Sequence, residues 1–460
     1  MSNPRALLAE HLAGVEAWLV GGAVRDGLLG RPTADLDVVV AGDPEPVAQA
    51  LRRATGAAAF SLSDAFGGWR TVHRRDGWTI DLLPLKDSDL HTDLSARDFT
   101  INAMAEPVAG GDLVDPFGGR EDLAARRIRM VGPRALADDP LRTLRAVRLA
   151  AELDMAVEAD TLEAARDNAP GLARVAAERI FAELRRIVGS HDPVAAVRGL
   201  EEAGVAAAVL PELLALRDVD QNVFHHRDVH DHTLEVLGAA VALERDPSPI
   251  GEKAARVLAQ PLADDLTRWG GLRWAALLHD IAKPQTRGER PDGRVTFVGH
   301  DSEGAEVAAG ILRRLRASER LALYVASLTR HHLRLGFLVH DRPLDPRVVH
   351  RYLKATAPWT VDVTVLTVVD RMATRGRNAG DAIALHVEVA REMLEAAEGG
   401  LPAPLVRGDV LARELGLKPG PRIGELLARL EEDQYAGELT SAEQALERAR
   451  ALLAGTLPGP

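Results

Sequence analysis

The chain contains no cysteine, so disulfides and thiolate metal sites are excluded. That absence is compatible with a reducing compartment. Aromatic residues make up only 4% of the 460 positions, which argues against the broad base-stacking platforms that grip single strands. Positive charge is in the minority: 56 Lys and Arg stand against 68 Asp and Glu, a formal net charge of -12. Extensive non-specific nucleic-acid binding is disfavoured, although a local basic face is still allowed. No apolar run approaches the roughly 20 residues needed to span a bilayer. The segment from Met1 to Gly14 lacks the long apolar stretch and small-residue cleavage site of a signal peptide. The expectation is a cytoplasmic protein with no membrane partner.

What is present divides at about Leu123. Before it, short Val- and Ile-rich runs bounded by Gly, Pro and Asp read as strands: Ala17–Val20, Leu36–Ala41, Arg70–His73, Trp78–Leu83 and Met104–Val108. After it, amphipathic helical patterns rich in Ala, Leu, Arg and Glu continue to the end, punctuated by Pro and Gly. Ten of the 15 histidines lie between His225 and His350, which marks that region as chemically distinct.

The segment Leu19–Asp26 reads as a strand, a glycine turn and a helix start. Gly21 and Gly22 let backbone N–H groups approach a phosphate closely, and Arg25 on the first helical turn can pair with a triphosphate. A Gly-Gly turn by itself is usually only a turn. The strand that follows opens with Asp35 and Asp37. Residues i and i+2 on a strand share a face, so their carboxylates converge. Two close carboxylates repel unless a cation lies between them, and Mg²⁺ with substrate phosphates is the natural guest. The alternative is a solvated edge with two surface acids. Asp81, in the apolar run Trp78–Leu83, is the candidate third carboxylate of a two-metal site, because an unpaired acid there would be costly.

These residues lead into a longer pattern. Gly21-Gly22-Ala23-Val24-Arg25-Asp26, Leu28-Leu29-Gly30-Arg31 and Asp35-x-Asp37 resemble the head of class II tRNA nucleotidyltransferases and bacterial poly(A) polymerases. In order, Arg97–Met104, Asp115–Gly119 with Asp122-Leu123, Asp138–Arg142, and Glu178–Ile180 with Glu183-Leu184 resemble the motifs that follow in that family. The resemblance implies that Asp35 and Asp37 hold Mg²⁺ and that Gly21, Gly22 and Arg25 contact the triphosphate. Arg97, Asp98 and Asn102, within the second motif, would meet the incoming nucleotide, and Asp139 and Arg142 would read its base. On the helix expected there, Asp139 and Arg142 are i and i+3 and share a face. A carboxylate accepts from the exocyclic amine of cytosine or adenine while arginine donates to a ring acceptor. Arg142, Arg145 and Arg148 would form a positive stripe along that helix. The bland alternative is a surface ion pair.

Two departures from the family pattern stand out. Ala96 replaces a frequent arginine. The connector between Asp81 and Arg97 is short, whereas family members that add C, C and A usually carry a longer flexible loop there. This raises the expectation of a CC-adding enzyme with a separate A-adding partner.

A second constellation is His225-His226-x-Asp228, His232, His279-Asp280-Ile281-Ala282-Lys283, His300-Asp301, His331-His332 and Asp370-Arg371. Its order resembles the HD superfamily of metal-dependent phosphohydrolases. His232, His279, Asp280 and Asp370 can close around one divalent cation, with His300 and His331 extending the set to a second. His226, His230 and His332 are placed outside the ligand set, as histidines that support the ligands or face solvent. A transition metal or Mg²⁺ would activate water against a phosphate ester, such as an RNA end or a nucleotide. A lone histidine on an amphipathic helix is more often structural.

The expected fold is α+β: a nucleotidyltransferase head with a small mixed β-sheet over 1–123 and an all-helical neck over 124–200. A helical HD domain over 201–395 and a helical tRNA-binding tail over 396–460 would follow. The expected function is transfer of C, and of A if the connector allows it, from CTP and ATP to the tRNA 3′ end. Alternatives are a poly(A) polymerase and an HD phosphohydrolase with an RNA-binding head.

Overall fold

The computed structural model describes residues 4–12, 14–63, 67–86, 89–221, 227–374 and 379–455. His225 and His226 fall outside these residues. The chain is α+β and divides into two compact units: Met1–His191 with Ala195–Val209, and Asp192–Val194 with Leu210–Pro460.

The first unit is built on a six-stranded mixed sheet. Its strands are β1 (Ala17–Val20), β2 (Asp35–Val40), β3 (Ala58–Ser63), β4 (Gly68–His73), β5 (Trp78–Pro84) and β6 (Ala105–Pro107). The order across the sheet is β3-β4-β5-β2-β1-β6. Alternation decides which side chains go where. Leu36, Val38 and Val40 of β2 join Ile80 and Leu82 of β5 and the Glu45–Thr55 helix in one core. The odd-numbered positions face the other way, where Val39 packs with Val20, Leu94, Ala103 and Ala105. Asp35 and Asp37 therefore share the face of Val39.

β3 was not expected from the sequence. Its residues Ala58-Ala59-Phe60-Ser61-Leu62-Ser63 have weak strand propensity, and it forms by pairing with β4 at the sheet edge. Helix α1 (Gly22–Leu28) packs on β1 and β2, and further along the unit α2 (Leu141–Leu153) and α3 (Ala177–Val188) pack on each other.

The second unit is predominantly helical. Its central elements are α4 (Val229–Arg245), α5 (Arg268–Leu278), α6 (His300–Arg314), α7 (Glu319–His331), α8 (Thr360–Ala373) and α9 (Ala379–Gly399). Side-chain caps start three of them: Asp228 accepts from Asp231 N–H, Thr267 from Gly270 N–H, and Ser318 from Leu321 N–H. Buried Leu234, Leu237, Leu272, Trp274, Leu328 and Leu366 fill the space between these helices. The segment from Val406 onward has its own small core, including Leu411, Ile423, Leu426 and Leu430. It is tied to the Pro346–Thr356 helix by ion pairs, Arg347 with Asp433 and Arg351 with Glu432 among them. Among the described residues no helix is long and apolar enough to cross a membrane.

Candidate active sites

β2 and β5 run parallel, and their register sets Asp37 beside Asp81. With Asp35 two residues before Asp37, three carboxylates converge on one sheet face. Arg70, the cross-strand partner of Asp81 on β4, grips it with two hydrogen bonds of 2.7 Å. Partial desolvation by the protein packed around it and the Asp81 and Asp35 charges push Asp37 above the usual carboxylate range, against the pull of Arg97 and Arg70, although the side chain still meets solvent. A cation would relieve that repulsion, and a set of carboxylate oxygens suits Mg²⁺.

Gly21 turns the chain from β1 into α1 at φ 70°, in the left-handed region. A Cβ there would stand 3.1 Å from an Arg97 nitrogen and 3.3 Å from Asp37 Oδ2. The glycine is required by conformation and by space. A groove of about 530 Å³ opens beside it, and its walls include Gly22, Arg25, Asp37, Arg97, Asn102 and Arg145.

One polar network runs along this groove. Arg25 donates to Asn102 Oδ1 at 2.7 Å, and Asn102 donates to Asp98 Oδ1 at 3.0 Å. Arg145 donates to Asp98 Oδ2 at 2.9 Å and, more weakly, to Glu183 at 3.4 Å. Glu183 also receives Arg148, which continues to Glu152 at 2.7 Å. Burial alone would raise Asp98. Arg145 and the hydrogen bonds from Asn102, Arg145 and the Phe99 N–H outweigh it and hold Asp98 below the usual range. Arg97 is braced by Asp93 at 3.0 Å.

Two expectations are corrected here. Asp139 and Arg142 do not share a helix face. Pro140 disfavours helical geometry at the residue before it, so Asp139 is extended and α2 begins at Leu141. The Asp139 carboxylate binds Leu141 N–H and Arg179 and does not line the groove. Arg142 does line it, with its guanidinium spent on the carbonyls of Ala96, Arg97 and Ala135. Nor is the arginine stripe of α2 an open basic surface. Arg148 is buried, and Arg145 and Arg148 are paired with carboxylates, as buried charge requires.

Asp93, Glu183 and Arg186 also line the groove and were not singled out as site residues. Glu183 had a signal in the motif containing it, and Asp93 had none. Asp115 and Asp122 act as braces. Asp115 caps the N–H groups of Gly119 and Arg120. Asp122, fully buried, binds Thr100, Arg127 and Arg129, which steadies the segment carrying Arg97 and Asp98.

The second unit gathers a buried histidine–aspartate cluster. His232 sits in the first turn of α4, and Asp370 lies on α8. His279 ends α5, His300 opens α6, and His332 follows α7. Each of these last three binds, through Nδ1, the carbonyl three residues earlier: Ala276 at 2.9 Å, Phe297 at 2.7 Å and Thr329 at 2.6 Å. Nδ1–H donation turns Nε2 inward, where it offers a lone pair to a cation whenever the ring is neutral.

Asp280 stands between two groups. Its Oδ2 lies 3.1 Å from His279 Nε2 and 3.8 Å from His232 Nε2, and its Oδ1 lies 3.4 Å from His300 Nε2 and 3.9 Å from His332 Nε2. His232 meets Asp370 at 3.0 Å. Two sets of possible ligands result, His232–His279–Asp370 and Asp280–His300–His332. His279 Nε2, His300 Nε2 and Asp280 Oδ1 are buried without a hydrogen-bond partner, while Asp280 Oδ2 meets the Lys283 ammonium at 2.7 Å. Unpaired polar atoms of this kind are costly, and a divalent cation satisfies them. Burial alone would raise Asp280, yet the charges of His279 and Lys283 hold it well below the carboxylate range. Burial and the neighbouring His279 push His332 down to about 4, leaving it a neutral donor.

The structure brings His332 into the cluster and leaves His331 out. His331 is half-buried, and its Nδ1 accepts a hydrogen bond from Arg334 at 2.9 Å. Adjacent residues at a helix end point in different directions, and only His332 points inward. Lys283 was quoted within the His-Asp motif but not assigned to the site; its Nζ lies 2.7 Å from Asp280 Oδ2.

A carboxylate-lined groove beside a glycine turn, in a head followed by a helical unit with a His–Asp centre, matches a known domain series. The poly(A) polymerase head domain model matches residues 17–129. A probable RNA- and SrmB-binding site of polymerase A matches 154–216, and the HD domain matches 229–375. The chain belongs to the tRNA nucleotidyltransferase and poly(A) polymerase family and is a nucleotidyltransferase. Among its relatives is the A-adding tRNA nucleotidyltransferase of Deinococcus radiodurans, 36% identical over 93% of this chain and 94% of that one. The CC-adding tRNA nucleotidyltransferase of Thermus thermophilus is 34% identical over 94% and 92%. The Thermotoga maritima CCA-adding enzyme complexed with tRNA has the same fold, with a TM-score of 0.63 at 22% identity, over 98% of this chain and 95% of that chain.

Proposed function

We propose that the head transfers nucleotides from CTP to the 3′-hydroxyl of tRNA, adding CC and releasing pyrophosphate. The observation that carries this reading is the convergence of Asp35, Asp37 and Asp81 beside a glycine turn and an arginine-lined groove. Asp35 and Asp37 would hold Mg²⁺, with Asp81 as the third carboxylate. Bound there, the metal would lower the pKa of the attacking hydroxyl and screen the leaving group. The turn at Gly21 and Gly22, with Arg25 and Arg97, would receive the triphosphate. Asp98 and Asn102 would position the sugar and phosphates. Arg142, fixed by three carbonyls, would present the remaining edge of its guanidinium to the base. Residues 1–123 would act as head, 124–200 as base-reading neck, 201–395 as HD domain and 396–460 as tRNA-binding tail.

The connector supports C addition. The short stretch between Asp81 and Arg97 carries the capped Leu90–Ser95 helix, whose Asp93 braces Arg97. The 36% identical A-adding relative favours a second reading, addition of the terminal A from ATP. Supplying tRNA that lacks CCA, or ends in CC, with labelled CTP alone, ATP alone or both decides between them. Two C residues from CTP alone support the proposal. A single A on tRNA ending in CC supports the second reading, complete CCA overturns both, and a long A tract indicates poly(A) synthesis.

The second unit is proposed as a separate metal-dependent phosphohydrolase centre. His232, His279 and Asp370 would hold one cation, and Asp280, His300 and His332 the other.

A further inference from the structure

The buried His–Asp cluster opens on one side into a groove of about 550 Å³. Two cluster members, His332 and Asp370, form part of its wall. Leu333, Phe337, Val339 and Leu385 make another part apolar, and Phe337 is 71% exposed at the rim. Arg371, adjacent to Asp370 on α8, also lines the groove.

Arg371 is unlike most arginines in this unit. Arg268 is paired with Asp362, Arg273 with Glu244, Arg342 with Glu388 and Arg347 with Asp433. Arg371 has no ion pair among the described residues, and its buried Nε has no hydrogen-bond partner. A buried guanidinium donor without an acceptor is unfavourable, and an oxyanion supplies both acceptor and countercharge. The planar fork of arginine suits two oxygens of a phosphoryl group. The apolar wall offers a surface for the organic part of an ester.

We infer that this groove is the substrate subsite of the second centre, in which Arg371 binds the phosphoryl oxygens of a phosphate ester. The inference rests on reading the cluster as a metal centre. It assigns Arg371 a binding role that neither the His–Asp ligand pattern nor the nucleotidyltransferase head requires. The ester's organic part lies along Leu333, Phe337 and Leu385, and its phosphorus faces the cluster. A nucleotide and a phosphorylated RNA end share this chemistry.

Calorimetry on the full chain and on Arg371→Ala and Arg371→Lys tests it. Mn²⁺ titration should give the same affinity, within about twofold, for all three proteins. Inorganic phosphate should bind Arg371→Ala about tenfold more weakly than wild type, both with Mn²⁺ and in EDTA, and Arg371→Lys should recover part of the loss. With p-nitrophenyl phosphate, KM should rise about tenfold in Arg371→Ala while kcat changes less. Equal phosphate affinity in wild type and Arg371→Ala, with Mn²⁺ binding intact, overturns the inference. Failure of wild type to bind Mn²⁺ overturns the metal-centre reading instead. The EDTA arm then decides Arg371 alone: a tenfold difference keeps the anion subsite, and none removes it. Competition by a nucleoside monophosphate and by a 3′-phosphorylated RNA trinucleotide identifies the source, and failure of both to displace phosphate counts against the subsite.

Discussion

The two candidate centres solve the same electrostatic problem in opposite ways. In the head, the carboxylates sit on a sheet face open to a groove, and arginines offset them: Arg70 binds Asp81, and Arg97 lies near Asp37. In the helical unit, the cluster is buried, and several of its polar atoms have no hydrogen-bond partner. An open site of hard oxygens suits a cation that arrives with a triphosphate and departs with pyrophosphate. A buried site of imidazole and carboxylate suits a resident ion. The difference predicts that the head depends on metal for chemistry, while the helical unit depends on it for stability as well.

The largest expected effect is at the head. Asp35→Ala with Asp37→Ala should lower nucleotide incorporation by about a thousandfold or more, the scale of removing a principal transition-state stabiliser. Circular dichroism should show an unchanged fold, because both side chains are accessible. Incorporation that survives would remove the contrast between the two sites.

Metal addition sharpens the other side. Saturating Mn²⁺ at about 100 times its Kd should stabilise the wild-type helical unit by roughly 2.7 kcal/mol. His279→Ala should abolish that gain in a thermal melt and remove phosphatase activity, leaving incorporation within about twofold. A gain that persists in His279→Ala would place the stabilising ion elsewhere.

Asp98 tests the network between groove and neck. Asp98→Asn should cost about 3 kcal/mol, because Arg145 is left without its closer partner. Because the folded Asp98 is held below the usual range, its contribution is complete above the unfolded value near 3.9. It disappears as pH falls through the lower folded value. Urea midpoints against pH should converge for wild type and variant at the acid end; a constant gap would disprove the linkage.

Gly21→Ala should have the smallest effect on stability, about 1–2 kcal/mol for a left-handed alanine. A Cβ crowding Arg97 and Asp37 should still reduce incorporation about tenfold. Unchanged kcat/KM would show that the turn does not shape the groove.

Much of this was legible in the sequence. The Asp35-x-Asp37 strand, the glycine turn and the His279-Asp280 pair are local patterns whose geometry follows from strand or helix periodicity. The missing parts depend on phase and context. Asp139 left the helix because Pro140 follows it, a local rule that outweighs the apparent i,i+3 spacing. His331 and His332 are adjacent, and only the final turn of α7 decides which faces inward. Edge strand β3 has little propensity of its own and depends on pairing with β4. The arginines of α2 looked like a basic stripe because their partners, Asp98 and Glu183, lie far away in sequence.

The most direct test is one assay pair on three proteins. Labelled CTP or ATP incorporation into tRNA and Mn²⁺-dependent hydrolysis of p-nitrophenyl phosphate are measured for wild type, the Asp35→Ala, Asp37→Ala double variant and His279→Ala. Two independent centres predict that the double variant loses incorporation and keeps hydrolysis, while His279→Ala does the reverse. Loss of both activities from either variant, with the fold intact, would contradict the assignment of two separate centres.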